Sequence, residues 1–201
     1  MATTIAAFSM SLDGYVARPD GSVGPLFDWY ENGHVETRWP GMGMTSHTTA
    51  ASAAHLARLI SGAGAIVTGR RLFDYTKGWG GDHPLHVPVF VLTHGDVPRD
   101  WVEAHPDAPF TFVTDGLESA LAQAAAVAGD RLVGIAGPNV AQQALNAGLL
   151  DEVHIDLVPV LLGEGIPFFD QLRTSPVLLD DPIVAHGERV THLTYRVRRE
   201  R

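Results

Sequence analysis

The chain has 201 residues, 45% of them apolar, a net charge of −9 and no cysteine. That size and apolar content suit one domain with a full core and argue against disorder. The acidic balance disfavours a nucleic-acid or anionic-membrane partner, and the lack of cysteine excludes disulfides and thiolate metal sites.

No basic segment precedes an apolar run at the N-terminus, and Asp13 interrupts that run early. No apolar run is long enough to span a bilayer. The expectation is a cytoplasmic protein whose residues 1–201 form one domain.

In chain order, Thr4 to Met10 reads as a buried first strand, Ser11-Leu12-Asp13-Gly14 as a turn, and Tyr15-Val16-Ala17 as extended chain. Residues Pro19 to Thr49 are rich in Gly, Pro and Trp and lack a period. They predict a long functional loop with one helical turn near Asp28. Ala53, Leu56, Leu59 and Ile60 recur at helical spacing within Thr49 to Ser61. Ala63 to Thr68 is a short buried strand that turns at Gly69-Arg70-Arg71 into a helix over Leu72 to Tyr75. Lys77 to Pro88 is another loop, and Val89 to Thr93 a strand ending in the His94-Gly95 turn.

Phe110 to Val113 is a strand, and Asp115 and Glu118 form a capping-box pattern for a helix ending near Gly129. Leu132 to Ala136 is a strand. Pro138 and Gly148 bracket the next helix, the asymmetry expected of these two residues. Val153 to Val158 is a strand, and Val177 to Arg198 alternates about Gly187 as an antiparallel hairpin. Alternating strands and helices closed by a hairpin predict an α/β sheet, mostly parallel, with antiparallel strands at one edge.

Three strand-to-turn junctions carry candidate chemistry. At Thr68-Gly69-Arg70-Arg71 a glycine exposes backbone N–H groups and two arginines add phosphate-matching donors. The alternative is a tight turn with solvated arginines. At Leu92-Thr93-His94-Gly95 a hydroxyl and an imidazole can bind a ribose or its phosphate, or serve as ordinary loop residues. At Ala136-Gly137-Pro138-Asn139-Val140 a helix N-terminus opens behind a glycine, as a ligand site or a structural turn. All three lie at carboxyl ends of strands, where open α/β sheets bind ligands. The Gly-x-Gly-x-x-Gly dinucleotide fingerprint is absent after the first strand.

In this order and spacing, several pieces resemble the dihydrofolate reductase superfamily. They are Ser9-Met10-Ser11-Leu12-Asp13-Gly14-Tyr15-Val16-Ala17, Gly69-Arg70-Arg71, Pro88-Val89-Phe90-Val91-Leu92-Thr93-His94, Ala136-Gly137, Gly148-Leu149-Leu150-Asp151-Glu152 and Pro159-Val160-Leu161-Leu162-Gly163-Glu164-Gly165. The likeness is to the branch holding the reductase domain of bacterial riboflavin biosynthesis, and it spans nearly the whole chain.

The resemblance implies a dihydrofolate reductase-like fold, helices on both faces of the sheet, and NADPH bound across the carboxyl edge. Ala7 would flank the nicotinamide, with the Gly163-Glu164-Gly165 loop near it. Gly69, Arg70 and Arg71 would hold phosphates, Arg70 or Arg71 taking the 2′-phosphate. Thr93 and His94 would meet the adenosine end. Gly137, Pro138, Asn139 and Val140 would cover the pyrophosphate and ribose.

Two positions depart from the dihydrofolate reductase pattern. Ala136-Gly137 stands for a Gly-Gly pair joined by a cis peptide, and Leu72 stands where those enzymes have a threonine.

Those enzymes hold the pterin with one buried carboxylate, and the nearest candidate is Asp28, as proton donor or as a helix cap beside a packed Trp29. The substrate, a small pteridine- or pyrimidine-like heterocycle, would lie among the Pro19–Trp39 loop, the Thr49–Ser61 helix and the Lys77–Pro88 loop. Trp29, Trp39 and Trp79 would stack on it or simply pack. The ten histidines show no ligand motif, so no metal is expected. The resemblance also implies a homodimer joined through Val153–Val160 or the C-terminal hairpin. The rival to a reductase is a non-catalytic nucleotide-binding or interaction module.

Overall fold

The computed structural model describes residues 2–173 and 175–198. The first strand, β1 (Thr3–Ser11), is followed by β2 (Tyr15–Ala17), a 3₁₀ helix (Gly24–Glu31), β3 (Val35–Arg38) and β4 (Thr45–Thr48). Then come α1 (Ala50–Gly62), β5 (Ala63–Gly69), α2 (Arg70–Thr76), a 3₁₀ segment (Lys77–Gly81), β6 (Val89–Leu92) and α3 (Arg99–Ala104). The chain continues through β7 (Phe110–Val113), α4 (Leu117–Ala128), β8 (Leu132–Ala136), α5 (Pro138–Asn146) and β9 (Glu152–Val158). It closes with β10 (Ile166–Pro167), β11 (Ile183–Gly187) and β12 (Val190–Arg196).

Eight strands form one sheet in the order β11-β12-β9-β1-β8-β5-β6-β7. β9, β1, β8, β5, β6 and β7 pair in parallel, and β12 and β11 add the antiparallel edge. This is the mostly parallel sheet with an antiparallel hairpin read from the sequence. β5 and β6 are buried along nearly their whole length, as continuous apolar runs in a doubly covered parallel sheet should be.

Alternation along β1 separates the two faces. Ala6, Phe8 and Met10 join the cluster built from α4, α5 and Phe168. The opposite face carries two smaller clusters. One gathers Ile66, Phe73, Val89 and Val91, and the other Leu26, Trp29, Leu56, Val158 and Val190.

Three details differ from the sequence reading. Residues 19–49 contain a 3₁₀ helix and the β3–β4 hairpin, where one helical turn was expected. The short helix α3 had no counterpart in that reading. The capping box fails because Gly116, at φ 111°, is the N-cap of α4, and no side chain caps it. Asp115 therefore sits one residue too early, outside the helix. Pro138 does open α5, and Gly148, at φ 68°, follows its end.

Candidate functional site

α1 starts behind Thr49, whose hydroxyl accepts the Ser52 N–H, and it ends directly on the first residue of β5. Because β5 is parallel to the central strands, α1 begins at the sheet's carboxyl edge and runs back toward the amino edge. Its inward residues Ser52, His55 and Leu56 are buried.

Beneath α1, strand register sets up one polar row. Ser9 of β1 pairs with Asp156 of β9, which pairs with His192 of β12. All three side chains are buried. Ser9 Oγ accepts the indole N–H of Trp29 at 3.0 Å, which fixes the 3₁₀ helix over the row. His192 Nδ1 lies 2.7 Å from Asp156 Oδ1, and its Nε2 lies 2.8 Å from Ser52 Oγ. His55 stacks on His192 at 4.1 Å and 19°, with its Nε2 3.0 Å from the same Asp156 oxygen. That last contact lies off the N–H axis, so it is an electrostatic contact and leaves His55 Nε2 without a linear hydrogen bond.

Burial by itself would raise the Asp156 carboxyl. The His192 hydrogen bond and the His55 imidazole outweigh it and hold the group below the usual carboxylate range. Burial also pushes the Tyr30 phenol up, with the Asp156 charge adding to it.

Between the two clusters on this face the sheet carries small residues. Ala7, Gly134 and Ala136 are only half-buried. Ala7 is paired with His154. Thr68 Oγ1, His55 Nε2 and His154 Nδ1 are buried without a hydrogen-bond partner among the described residues. All three belong to elements that border these small residues on the same face. Orphaned polar atoms around a strip of small side chains mark a place for a polar, flat ligand.

The cofactor-type junctions adjoin this strip. β8, β5 and β6 are neighbours in the sheet, so Gly137, Gly69 and Thr93 meet at one carboxyl edge. Gly137 adopts φ 106°, which strains any other residue, although a Cβ there would meet Leu72 at ordinary contact distance. The peptide before it is trans, as the one cis bond among the described residues is Ser175–Pro176. α5 has no side-chain cap, so the N–H groups of Asn139 and Val140 face outward from its first turn. Gly69 packs so closely on Val140 that a Cβ would come within 3.2 Å.

Thr93 is buried and its hydroxyl accepts the Gly95 N–H, while His94 is exposed. A shallow depression of about 470 Å³ follows, lined by Gly95, Asp96, Val97, Arg99 and Thr114. Arg70 binds Asp74 and the Asp96 carbonyl at its rim, whereas Arg71 is exposed. These residues fit a dinucleotide: open N–H groups, a bare glycine and guanidinium groups lie in sequence along one edge.

At the other end, Asp13 accepts the N–H groups of Leu162 and Gly163 at 3.1 and 2.7 Å. A Cβ on Gly165 would strike the Ala17 carbonyl, so the 163–165 loop is clamped against β2.

Asp28 is a different case. It is exposed on the 3₁₀ helix. The neighbouring Trp29 is the inward residue. Trp39 and Trp79 are half-buried against Tyr30 and His83. The buried carboxylate of this face is Asp156, which sequence reasoning passed over. A signal was present, since His154 and Asp156 alternate with Val153, Ile155 and Leu157 along β9. Ser52 and His55 share the inward face of α1, three residues apart, but no spacing along the chain links them to His192 of β12.

A family model described as the RibD C-terminal domain matches residues 2–191. The chain is 23% identical over 179 residues to the uncharacterised protein YwjB of Bacillus subtilis (strain 168), covering 87% of each. A crystal structure of a putative riboflavin biosynthesis protein from Shewanella sp. PV-4 is similar at TM-score 0.71 and 26% identity, over 98% of this chain and 99% of that one. Dihydrofolate reductase from Enterococcus faecalis, complexed with NADP(H), matches at TM-score 0.55 and 16% identity over 98% and 97% of the two chains. The latter likeness shows the fold, which is dihydrofolate reductase-like. By sequence and by architecture the chain belongs to the RibD C-terminal domain family.

Proposed function

We propose that the protein is an NADPH-dependent reductase that transfers a hydride to the C=N or C=O carbon of a small pteridine- or pyrimidine-like heterocycle. The observation that carries this reading is the convergence of Gly69, Thr93 and Gly137 on adjacent parallel strands beside a strip of small residues edged by orphaned polar atoms. Family membership and the NADP(H)-bound fold relative support it.

In this reading Gly69, Gly137, Asn139 and Val140 bind the pyrophosphate through backbone N–H groups. Arg71 is free to pair with a 2′-phosphate, and Arg70 holds the 96–99 loop in place beside it. Thr93 and His94 border the adenosine. Ala7 provides the flat floor on which the nicotinamide and the heterocycle meet, and Gly163 and Gly165 close that end. The cofactor, when bound, supplies the hydride. The protein's share is positioning, exclusion of water and a proton source.

The exposure of Asp28 favours the second reading, a nucleotide-binding module without turnover. Fluorescence titration with NADPH tests the first step: no binding at millimolar cofactor defeats both readings. If it binds, loss of absorbance at 340 nm with dihydropterins, aminopyrimidinones or simple imines separates the reductase from the module. A homodimer is part of the proposal. β11 is an edge strand with exposed Ile183 and Val184, and light scattering at micromolar concentration would exclude this dimer by finding a monomer.

A further inference from the structure

We propose that Thr49, Ser52, His192, Asp156 and His55 form a proton relay from the half-exposed cap of α1 to the buried wall of the candidate site, and that it supplies the proton accompanying reduction. The final step rests on the reductase reading above, whereas the relay itself does not.

The hydrogen bonds run in one direction. Thr49 Oγ1 donates to Ser52 Oγ at 3.2 Å. Ser52 then has its own proton to give to His192 Nε2 at 2.8 Å. An acceptor Nε2 leaves His192 Nδ1 as the protonated nitrogen, which donates to Asp156 Oδ1 at 2.7 Å. His55 Nε2 stands 3.0 Å beyond, with no other partner among the described residues. Thr49 is half-exposed, while every later member is buried. A chain of this kind meets water at one end only.

Its position matches the task. Asp156 lies one pleat repeat, about 7 Å, below the Ser11–Val158 pair that ends β1 and β9 at the carboxyl edge. His55 lies in the second turn of a helix that starts at that edge. The other polar groups packed around the row already have roles. Ser9 is bound by Trp29, and Tyr30 is held protonated by burial. Glu152 is engaged by His154. Gly187 of β11 fits against Ser52 with no room for a side chain.

Metal chelation by His55, Asp156 and His192 is the competing use of the trio, whose ligand atoms lie within 4.8 Å of one another. The hydrogen bonding opposes it, because two of the atoms a metal would take, His192 Nδ1 and Asp156 Oδ1, are already joined at 2.7 Å.

The hydride adds to the carbon of C=N, and the π pair moves to nitrogen. That nitrogen takes the proton of His55 Nε2, the unpartnered group at the inner end of the relay, and the cofactor, having given up its hydride, would be left oxidised. One proton then shifts along each hydrogen bond from Thr49 to Asp156, a small turn of the His55 ring brings its bare Nε2, 3.0 Å away, onto Asp156 Oδ1 to take that proton, and water restores the first.

Histidine-selective ¹⁵N NMR tests the relay without cofactor. It should find His192 as the Nδ1–H tautomer, and Ser52→Ala should slow exchange of that proton with water severalfold. The opposite tautomer, or unchanged exchange in Ser52→Ala, overturns the relay. So does one equivalent of transition metal in the purified protein that His55→Gln removes. In turnover, Asp156→Asn should lower the rate of NADPH oxidation about 100-fold with its binding intact. Ser52→Ala should lower kcat more than KM and enlarge the solvent isotope effect. If the wild-type protein binds no NADPH, the reductase reading falls, and the NMR result still decides the relay.

Discussion

Asp13 and Gly163 lie 150 residues apart in the chain, and the carboxylate of one accepts the amide N–H of the other at 2.7 Å. The same carboxylate also accepts the Leu162 N–H, so one side chain ties the turn after β1 to the glycine loop after β9. The Ser11 hydroxyl and these two amides hold the Asp13 carboxyl below its usual range. A depressed carboxylate contributes stability above its unfolded pKa, and that contribution is lost as pH falls through the folded value. Asp13→Ala should therefore speed amide exchange at Leu162 and Gly163 near neutral pH, and the difference from wild type should vanish in acid. Equal exchange rates at pH 7 would show that the tie does not hold the loop.

His83 gives a larger pH effect. Burial lowers its pKa to about 4, with Asp82 opposing in part, and its Nδ1 accepts the Leu85 N–H. The folded state thus keeps His83 neutral while the unfolded chain protonates near 6.5. Stability is complete above about pH 6.5 and falls as pH drops toward 4, by up to about 3 kcal/mol. Urea melts at pH 7 and 5 should show the loss in wild type and a smaller one in His83→Gln.

Trp29 is buried and binds Ser9 beside the polar row. Trp29→Phe keeps most of the ring but leaves Ser9 Oγ without its donor, at a cost of about 1–3 kcal/mol. Trp29→Ala should cost about 3–5 kcal/mol. Denaturant midpoints will rank them, and a near-zero cost for Trp29→Phe would show that packing alone matters there.

Gly165 has no space for a methyl group, because a Cβ would run into the Ala17 carbonyl. Gly165→Ala should destabilise by about 1–3 kcal/mol through forced backbone movement. Calorimetry alongside Gly43→Ala, where a Cβ meets open space but φ is 62°, separates crowding from backbone strain.

Arg71 is exposed beside the phosphate-type junction, whereas Arg70 is engaged. Arg71→Gln should weaken NADPH about tenfold and NADH little, since only the former offers a 2′-phosphate dianion. Parallel titrations measure the ratio, and an equal loss for both cofactors would assign Arg71 to the pyrophosphate.

The sequence by itself determined the sheet, its hairpin edge and the glycine junctions. Those features are local: apolar runs of strand length, Gly137 and Gly69 at strand ends, Pro138 where a helix opens. Residues 19–49 resisted because 3₁₀ turns and a polar hairpin leave no period to read. Asp115 misled because a capping motif depends on where the helix begins, and Gly116 begins it one residue later. Tertiary structure alone decided which polar groups are buried together. Asp156 meets His192 through strand register, and the packing of α1 on the sheet brings His55 to Asp156 and Ser52 to His192. Burial and pairing between residues 140 positions apart are properties of that assembly, and no spacing along the chain encodes them.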